Sequence, residues 1–597
     1  MIEHPSTRRF AAAPAASEYR PPSRLRNLIG WNTLGVIIVV IAVGISLYNV
    51  FSIRSQYNAP HKRVVRVMHW QLELGYRDAL QQVINDYNEL QRKRYEAGQS
   101  PQQIEVVQLP VTEKVFSQVL KVNLIAGTAP DIFTHFGNVE LSRDCAGINS
   151  YIEQSNPYNA MEFLGGEPLD PALASALASM PWRDTYIDSM QGGFNSERQT
   201  QYAVGISFNL GGRFAYNLDL IREVTGEERI PQTTGELLEL SRKTREFAAR
   251  SGQQLWPIAA SRYNANYFTS DLAGIMLQPW SRVLDRDRDG DVSDTEGWAG
   301  MANGAIGLKD RVFGQYLDAV QGIAKEFSTG FTSMDRDGGM YLFVQKKAPV
   351  FFCASWDAGT VIKLARNRFR VAFGSIPVPG PGEPWNDPPR NLISEASIVS
   401  WGGYHLNRDG KIEESIDFLR YWSSYAVNQR FNRAADWIPA IIGTSPSLEM
   451  AAFAPRIAGV PGGWSPGSPW GTARSGQTGL TLQGQMAGLT TGEITREALI
   501  AKTLETYADP NYGQNSIWGK DFVEGRNAAR AQERAIAILG AVALGKGQRL
   551  DAKATRDLLW GQIPGYNGQS VRWMHLRTLG APGPDGKPGK PFPAVDP

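Results

Sequence analysis

The chain has little that would serve covalent or nucleic-acid chemistry. Its six histidines are scattered, with no His-Glu-x-x-His or paired ligand spacing, so no catalytic zinc site is expected. Gly540 to Gly547 has the glycine and lysine spacing of a phosphate-binding loop. However, Gly547 stands where the Mg²⁺-binding hydroxyl belongs, and the run closes a helical pattern instead of opening one. A net charge of +2 with mixed signs gives no electrostatic case for nucleic acid. Only two cysteines occur, Cys145 and Cys353, which leaves pairing possible outside the cytoplasm. Acidic residues number 59, so a two-carboxylate glycosidase stays open on composition alone.

The stretch from Val64 to Phe136 is the most informative. An apolar run, Val64-Val-Arg-Val-Met-His-Trp70, predicts a strand, and Tyr76, Leu80, Val83, Ile84, Tyr87 and Leu90 follow at helical spacing. A second strand is expected over Ile104–Leu109. A helix through Phe116, Val119 and Leu120 then ends at Ala126-Gly127-Thr-Ala-Pro-Asp131-Ile-Phe. Strand, helix, strand, helix, strand at these lengths indicates a parallel sheet, whose ligands sit beyond the carboxyl ends of its strands. Trp70 and the Thr134-His135-Phe136 segment occupy those ends.

These two runs resemble the first lobe of extracellular solute-binding proteins, the sugar-binding receptors of ABC importers. The resemblance continues in order along the chain. Tyr202-Ala-Val-Gly-Ile-Ser-Phe-Asn209 is similar to a crossing strand, followed by Phe214-Ala-Tyr216-Asn217-Leu-Asp219 and by Pro231-Gln-Thr-Thr-Gly-Glu-Leu-Leu. Phe343 to Trp356 resembles the strand that ends in a sugar-facing Trp, although Ala354 replaces the usual Gly. Phe369 to Pro379 resembles the return crossing, and Glu414 to Trp422 a late helix of the first lobe. The resemblance implies an α/β, two-lobed periplasmic-binding-protein fold (type II) with a hinge. Lobe 1 would comprise residues 60–205 with 375–445, and lobe 2 residues 206–374. It also implies that Cys145 and Cys353 lie in different lobes, where a bridge would block hinge closure. Two buried thiols are therefore expected.

Outside that region the residues speak for themselves. Residues 1–28 are polar, with Arg8, Arg9, Arg20, Arg24 and Arg26 against Glu3 and Glu18. Leu34–Phe51 is uncharged and long enough for a short transmembrane helix, within an anchor region of 29–53 flanked by Trp31 and Tyr48. The arginine excess places the N-terminus in the cytoplasm and the main domain outside the inner membrane, in the periplasm or extracellular space. A cleaved signal peptide is the competing reading. The long leader and the lack of a small-x-small site favour a retained anchor, and no Cys is near enough for a lipoprotein.

Asp285-Arg-Asp287-Arg-Asp289-Gly290-Asp291-Val292-Ser293-Asp294-Thr-Glu296 matches the twelve-residue EF-hand calcium loop at every defining position. Asp285, Asp287 and Asp289 would converge on Ca²⁺, with the Asp291 carbonyl, Ser293 through water and Glu296 bidentate completing the shell. A lone copy reads as a structural clip.

Aromatic content points to the ligand, because pyranose rings pack flat C–H faces on aromatic rings while carboxylates and amides take their hydroxyls. Of 16 Trp, all but Trp31 follow the anchor. Trp70, Phe136, Trp356, Trp401, Tyr404 and Trp437 are candidate platforms, and Glu73, Asp131, Asn209 and Asp357 candidate polar contacts; Asp131 also suits a turn cap. Trp182, Trp256, Trp280 and Trp422 read as packing. A mostly helical C-terminal extension is expected over 446–576. It includes a Gly/Pro/Ser-rich loop (459–479) and helical patterns at Ile494–Tyr507, Val523–Leu544 and Asp551–Trp560, before a disordered tail over 577–597.

The sequence thus predicts a tethered, non-enzymatic receptor that binds a carbohydrate and presents it to an ABC permease, with structural Ca²⁺. A membrane-anchored hydrolase or lyase, a ligand-sensing interaction protein, and a polyol or polyamine ligand are the alternatives.

Overall fold

The computed structural model describes residues 39–41, 43, 44, 61–71, 73, 75–134, 141–161, 164, 169–195, 200–208, 212–284, 300, 304–390, 392, 403–453 and 476–508. Strand β1 (Lys62–His69) buries Val64, Val65, Val67 and Met68, which suits a strand covered on both faces. Gly75, at φ 97°, turns the chain into α1 (Tyr76–Glu96); a Cβ there would lie 3.2 Å from the Ala434 carbonyl. The buried face of α1 is Tyr76, Ala79, Leu80, Val83, Ile84 and Tyr87, a helical stripe, with Asp78 in the first turn and Lys93 and Arg94 in the last. β2 (Gln103–Pro110), α2 (Glu113–Ile125) and β3 (Ile132–Thr134) complete the expected unit, and β1 pairs in parallel with both β2 and β3.

The chain then passes through β4 (Ala203–Val204) and β5 (Ser207–Phe208) into a second sheet. Its elements are β6 (Arg213–Asn217), α3 (Leu218–Thr225), α4 (Thr234–Ser251), β7 (Ile258–Ala259), α5 (Arg262–Met276), α6 (Arg311–Ala324), α7 (Arg336–Val344), β8 (Val350–Cys353), α8 (Ser355–Ala365) and β9 (Val371–Gly374). β10 (Tyr404–Leu406), α9 (Ile412–Trp422) and α10 (Tyr425–Ala435) return to the first lobe, and β11 (Ile438–Pro439) pairs with β5 at the crossing. The first sheet has the order β2-β1-β3-β10-β4, with β10 antiparallel to both neighbours. The second has the order β9-β6-β8-β7.

Two large cores follow from this. One gathers α1, β1, α9 and α10 around Tyr87, Trp182, Tyr421 and Trp422, and runs on to Ala215, Phe351 and Cys353 on one face of the second sheet. The other packs Phe214, Phe268, Phe352 and Tyr316 on the opposite face. Two helices of the C-terminal extension, α11 (Gly476–Thr491) and α12 (Arg496–Ala508), join this second core through Leu489 and Leu499, and Arg496 bonds Asp318 of α6 at 2.5 Å. These two helices therefore enlarge the second lobe, whereas Met450 and Phe453 of the extension join the first core. Cys145 and Cys353 are both buried and form no disulfide.

Of the expected anchor, only Val39–Ile41, Val43 and Gly44 are described, as helix. Among the described residues no helix is long and apolar enough to cross a membrane. The calcium loop 285–296 and the helical patterns at 523–544 and 551–560 lie outside the described residues. The strand expected from Phe343 to Trp356 is confined to β8. Phe343 belongs to α7 and Trp356 to the first turn of α8, because Asp335 and Ala354 each start a helix. Asp335-Arg-Asp337-Gly338, which reads as a turn, is the start of α7: the Asp335 carboxylate accepts from the Gly338 N–H at 3.1 Å.

Candidate functional site

The carboxyl end of β1 and the first turns of α7 and α8 meet where the two lobes face each other. From lobe 1, the turn after β1 supplies Trp70 and Glu73. Trp70 is half-buried and fixed edge-on against Phe116, 4.9 Å between ring centroids. From lobe 2 come Trp356 and Asp357 of α8, Arg336 of α7, and Tyr263, Tyr267 and Asp271 of α5. The last three are four residues apart and so share one helix face.

Arg336 organises the polar part. Its Nε and Nη2 donate to the same Asp357 oxygen, Oδ1, at 2.9 and 2.6 Å, and Nη2 lies 3.5 Å from Glu73 Oε1. Its guanidinium also sits 5.3 Å from the Tyr263 ring centroid. One cation thereby joins a carboxylate of each lobe. Burial alone would lower the Arg336 pKa, but Asp357, Tyr263 and Glu73 together hold it above its ordinary value. Burial raises the pKa of both Glu73 and Asp357, and Arg336 only partly opposes this. Burial also pushes Asp271 up to about 7, against the pull of Arg213.

Aromatic rings line the rest. Tyr263 and Tyr267 are 4.7 Å apart and Tyr267 meets Trp356 edge-on at 5.0 Å, which gives a continuous wall along α5 and α8. Four enclosed polar atoms in this region have no partner among the described residues: Glu73 Oε2, Trp356 Nε1, Asp357 Oδ2 and Asp271 Oδ2. Acceptors and a donor beside an aromatic wall are what a hydroxylated ring requires, since buried polar groups left unpaired are costly.

Four of the expected site residues, Trp70, Glu73, Trp356 and Asp357, thus belong to this region. Tyr404 and Trp437 are corrected to core residues. Tyr404 is fully buried, hydroxyl to hydroxyl with Tyr76, and Trp437 packs on Tyr76 at 4.8 Å. Both sit in the lobe-1 core because β10 is covered on both faces and the segment leading to β11 runs beneath α1. Asp131 is corrected as well. Its Oδ2 accepts from the Arg66 N–H at 2.8 Å and its Oδ1 from the Lys411 N–H at 3.2 Å, so it ties β1 to the turn before α9. Phe136, Asn209 and Trp401 lie outside the described residues. Among the described residues no group of three or more His, Cys, Asp or Glu is arranged to hold a metal. Arg336, Tyr263, Tyr267 and Asp271 escape the sequence reading. The Tyr-x₃-Tyr-x₃-Asp spacing within Arg262–Met276 is the signal that marks three of them.

No protein family's sequence profile matches the chain, and neither does any curated protein. Solved structures do. A chitin oligosaccharide binding protein superposes with a TM-score of 0.50 at 14% identity, covering 76% of this chain and 100% of its own. The maltose/maltodextrin-binding domain from Bdellovibrio bacteriovorus, bound to maltotriose, gives 0.47 at 14% identity over 79% of this chain and 100% of its own. An acarbose-binding receptor of Streptomyces glaucescens gives 0.49 at 14% identity over 74% of this chain and 98% of its own. These proteins are described as binding proteins or receptors, not as enzymes. At this identity the likeness establishes fold: the chain has the mixed α/β, two-lobed architecture of sugar-binding proteins.

Proposed function

We propose that this protein is an extracytoplasmic receptor that captures a carbohydrate between its two lobes and delivers it to an ABC import permease. The observation that carries this reading is the Tyr263–Tyr267–Trp356 wall beside carboxylates from both lobes, each with an unpartnered oxygen. The ligand named for a protein of the same fold, a chitin oligosaccharide, agrees with such a wall. Binding needs no covalent step. A ligand that touches Glu73 on one lobe and Asp357 on the other stabilises the closed arrangement by its differential contacts, and hinge closure follows. Leu34–Phe51 would tether the receptor to the inner membrane, and residues 285–296 would clip lobe 2 with one Ca²⁺.

The test is thermal shift and Trp fluorescence of the purified protein against mono- and oligosaccharides. A saturable response to one sugar class, with the sugar recovered intact, supports the receptor. Absence of any response across the panel, or recovery of shortened sugar, contradicts it.

A further inference from the structure

The carboxylates facing this region outnumber the cations. Glu73 and Asp357 share the single guanidinium of Arg336. Asp271 interacts with Arg213, whose Nε and Nη1 are committed to the carbonyls of Ala452 and Gly212 at 3.2 and 3.3 Å. Nearby Lys363 is paired with Asp436 at 2.6 Å. Glu113, exposed at the start of α2, adds a further negative charge close enough to act on Glu73, Asp357, Tyr263 and Tyr267. The set Glu73, Asp357, Asp271 and Glu113 against Arg336 and Arg213 therefore carries excess negative charge when ionised.

Each of the three inner carboxylates also keeps one enclosed oxygen with no partner among the described residues, and Asp357 is only 6% exposed. A neutral hydroxyl can donate to such an oxygen but leaves its charge uncompensated in a desolvated site. An ammonium group donates and compensates together. The rings of Tyr263, Tyr267 and Trp356 favour the same group, because their faces attract cations, as Tyr263 already does with Arg336.

We infer that the site is built for an amine-bearing saccharide, its ammonium held between Glu73 and Asp357 beside the Tyr263–Tyr267–Trp356 wall. This rests on the carbohydrate reading above and narrows it to a charged class.

The experiment is calorimetric titration of the full chain near pH 7 with three oligosaccharides of one length and one β-1,4 backbone. They carry an amine, an acetamide or a hydroxyl at carbon 2. The amine form is expected to bind at least about tenfold more tightly than the other two. That preference should shrink with added salt and collapse in Glu73→Gln. Asp357→Asn gives the same reading if Glu73→Gln does not fold. Equal or tighter binding of the hydroxyl or acetamide form overturns the amine proposal and leaves the carbohydrate receptor standing. Binding of none of the three overturns the proposal. If spermidine then binds, the carbohydrate reading falls with it.

Discussion

Arg336 and Asp357 form a two-nitrogen, one-oxygen contact at 2.9 and 2.6 Å, leaving Asp357 Oδ2 enclosed and unpartnered while the same guanidinium reaches Glu73 of the other lobe. The pair sets the charge of the site and links the lobes. Arg336→Leu should therefore cost about 3–5 kcal/mol, because two buried carboxylates lose the one cation paired with them among the described residues. Adding Asp357→Asn should recover a large part of that loss, and denaturant unfolding of the single and double variants measures it. Strictly additive losses would show that the two residues do not act together.

Asp271 supplies a pH signature. Burial raises its carboxyl from 3.8 to about 7, so the folded protein binds this proton more tightly than the unfolded chain. Its contribution to stability is complete below pH 3.8 and is lost as pH rises through the window up to about 7. Asp271→Asn should flatten that part of the stability profile, by on the order of 1–4 kcal/mol at pH 8 relative to pH 4. Parallel wild-type and Asp271→Asn profiles would contradict this.

Gly359 provides a steric test. A Cβ on it would lie 2.7 Å from Asp436 Cβ, where α8 of lobe 2 approaches the turn after α10 of lobe 1. Gly359→Ala should cost about 1–3 kcal/mol, read as a lower Tm, by forcing the two segments apart. Gly226→Ala has open space around its Cβ but carries backbone strain at φ 86°, so it separates crowding from conformation.

Much of the first lobe was legible because its pattern is local. The apolar run from Val64 to Trp70 and the stripe from Tyr76 to Leu90 locate β1 and α1 to within two residues at their starts. Trp356 and Asp357 stand out in the sequence as candidates, but their setting at the start of a helix does not. The resemblance reads Phe343 to Trp356 as one strand, but Gln345-Lys-Lys347 separates the end of α7 from β8. Arg336 was missed because Asp335-Arg-Asp337-Gly338 has turn chemistry that equally serves a helix cap. Helix α11 is hidden in the sequence by Gly476, Gly479, Gly484 and Gly488, which its packing on α6 and α12 overrides. Tyr404 and Trp437 look like platforms because sequence gives residue type and strand position, not which rings already cover them.

The acidic loop 285–296 yields a separate prediction. Calcium should raise the Tm of the purified protein, by about 2.7 kcal/mol of added stability at a hundredfold excess over Kd. Asp285→Ala with Glu296→Ala should remove that shift. A melting curve unchanged by chelator would mean that the loop holds no ion.

In the proposed complex a saccharide seats against Trp356 between the lobes. The most direct test of this contact is calorimetric titration of the best-binding saccharide into wild type and Trp356→Ala, with the sugar recovered and weighed by mass spectrometry. The account predicts intact sugar, a folded variant with an unchanged unfolding profile apart from about 1–3 kcal/mol of lost packing, and affinity at least about a hundredfold weaker. Unaltered affinity in the folded Trp356→Ala protein would contradict it.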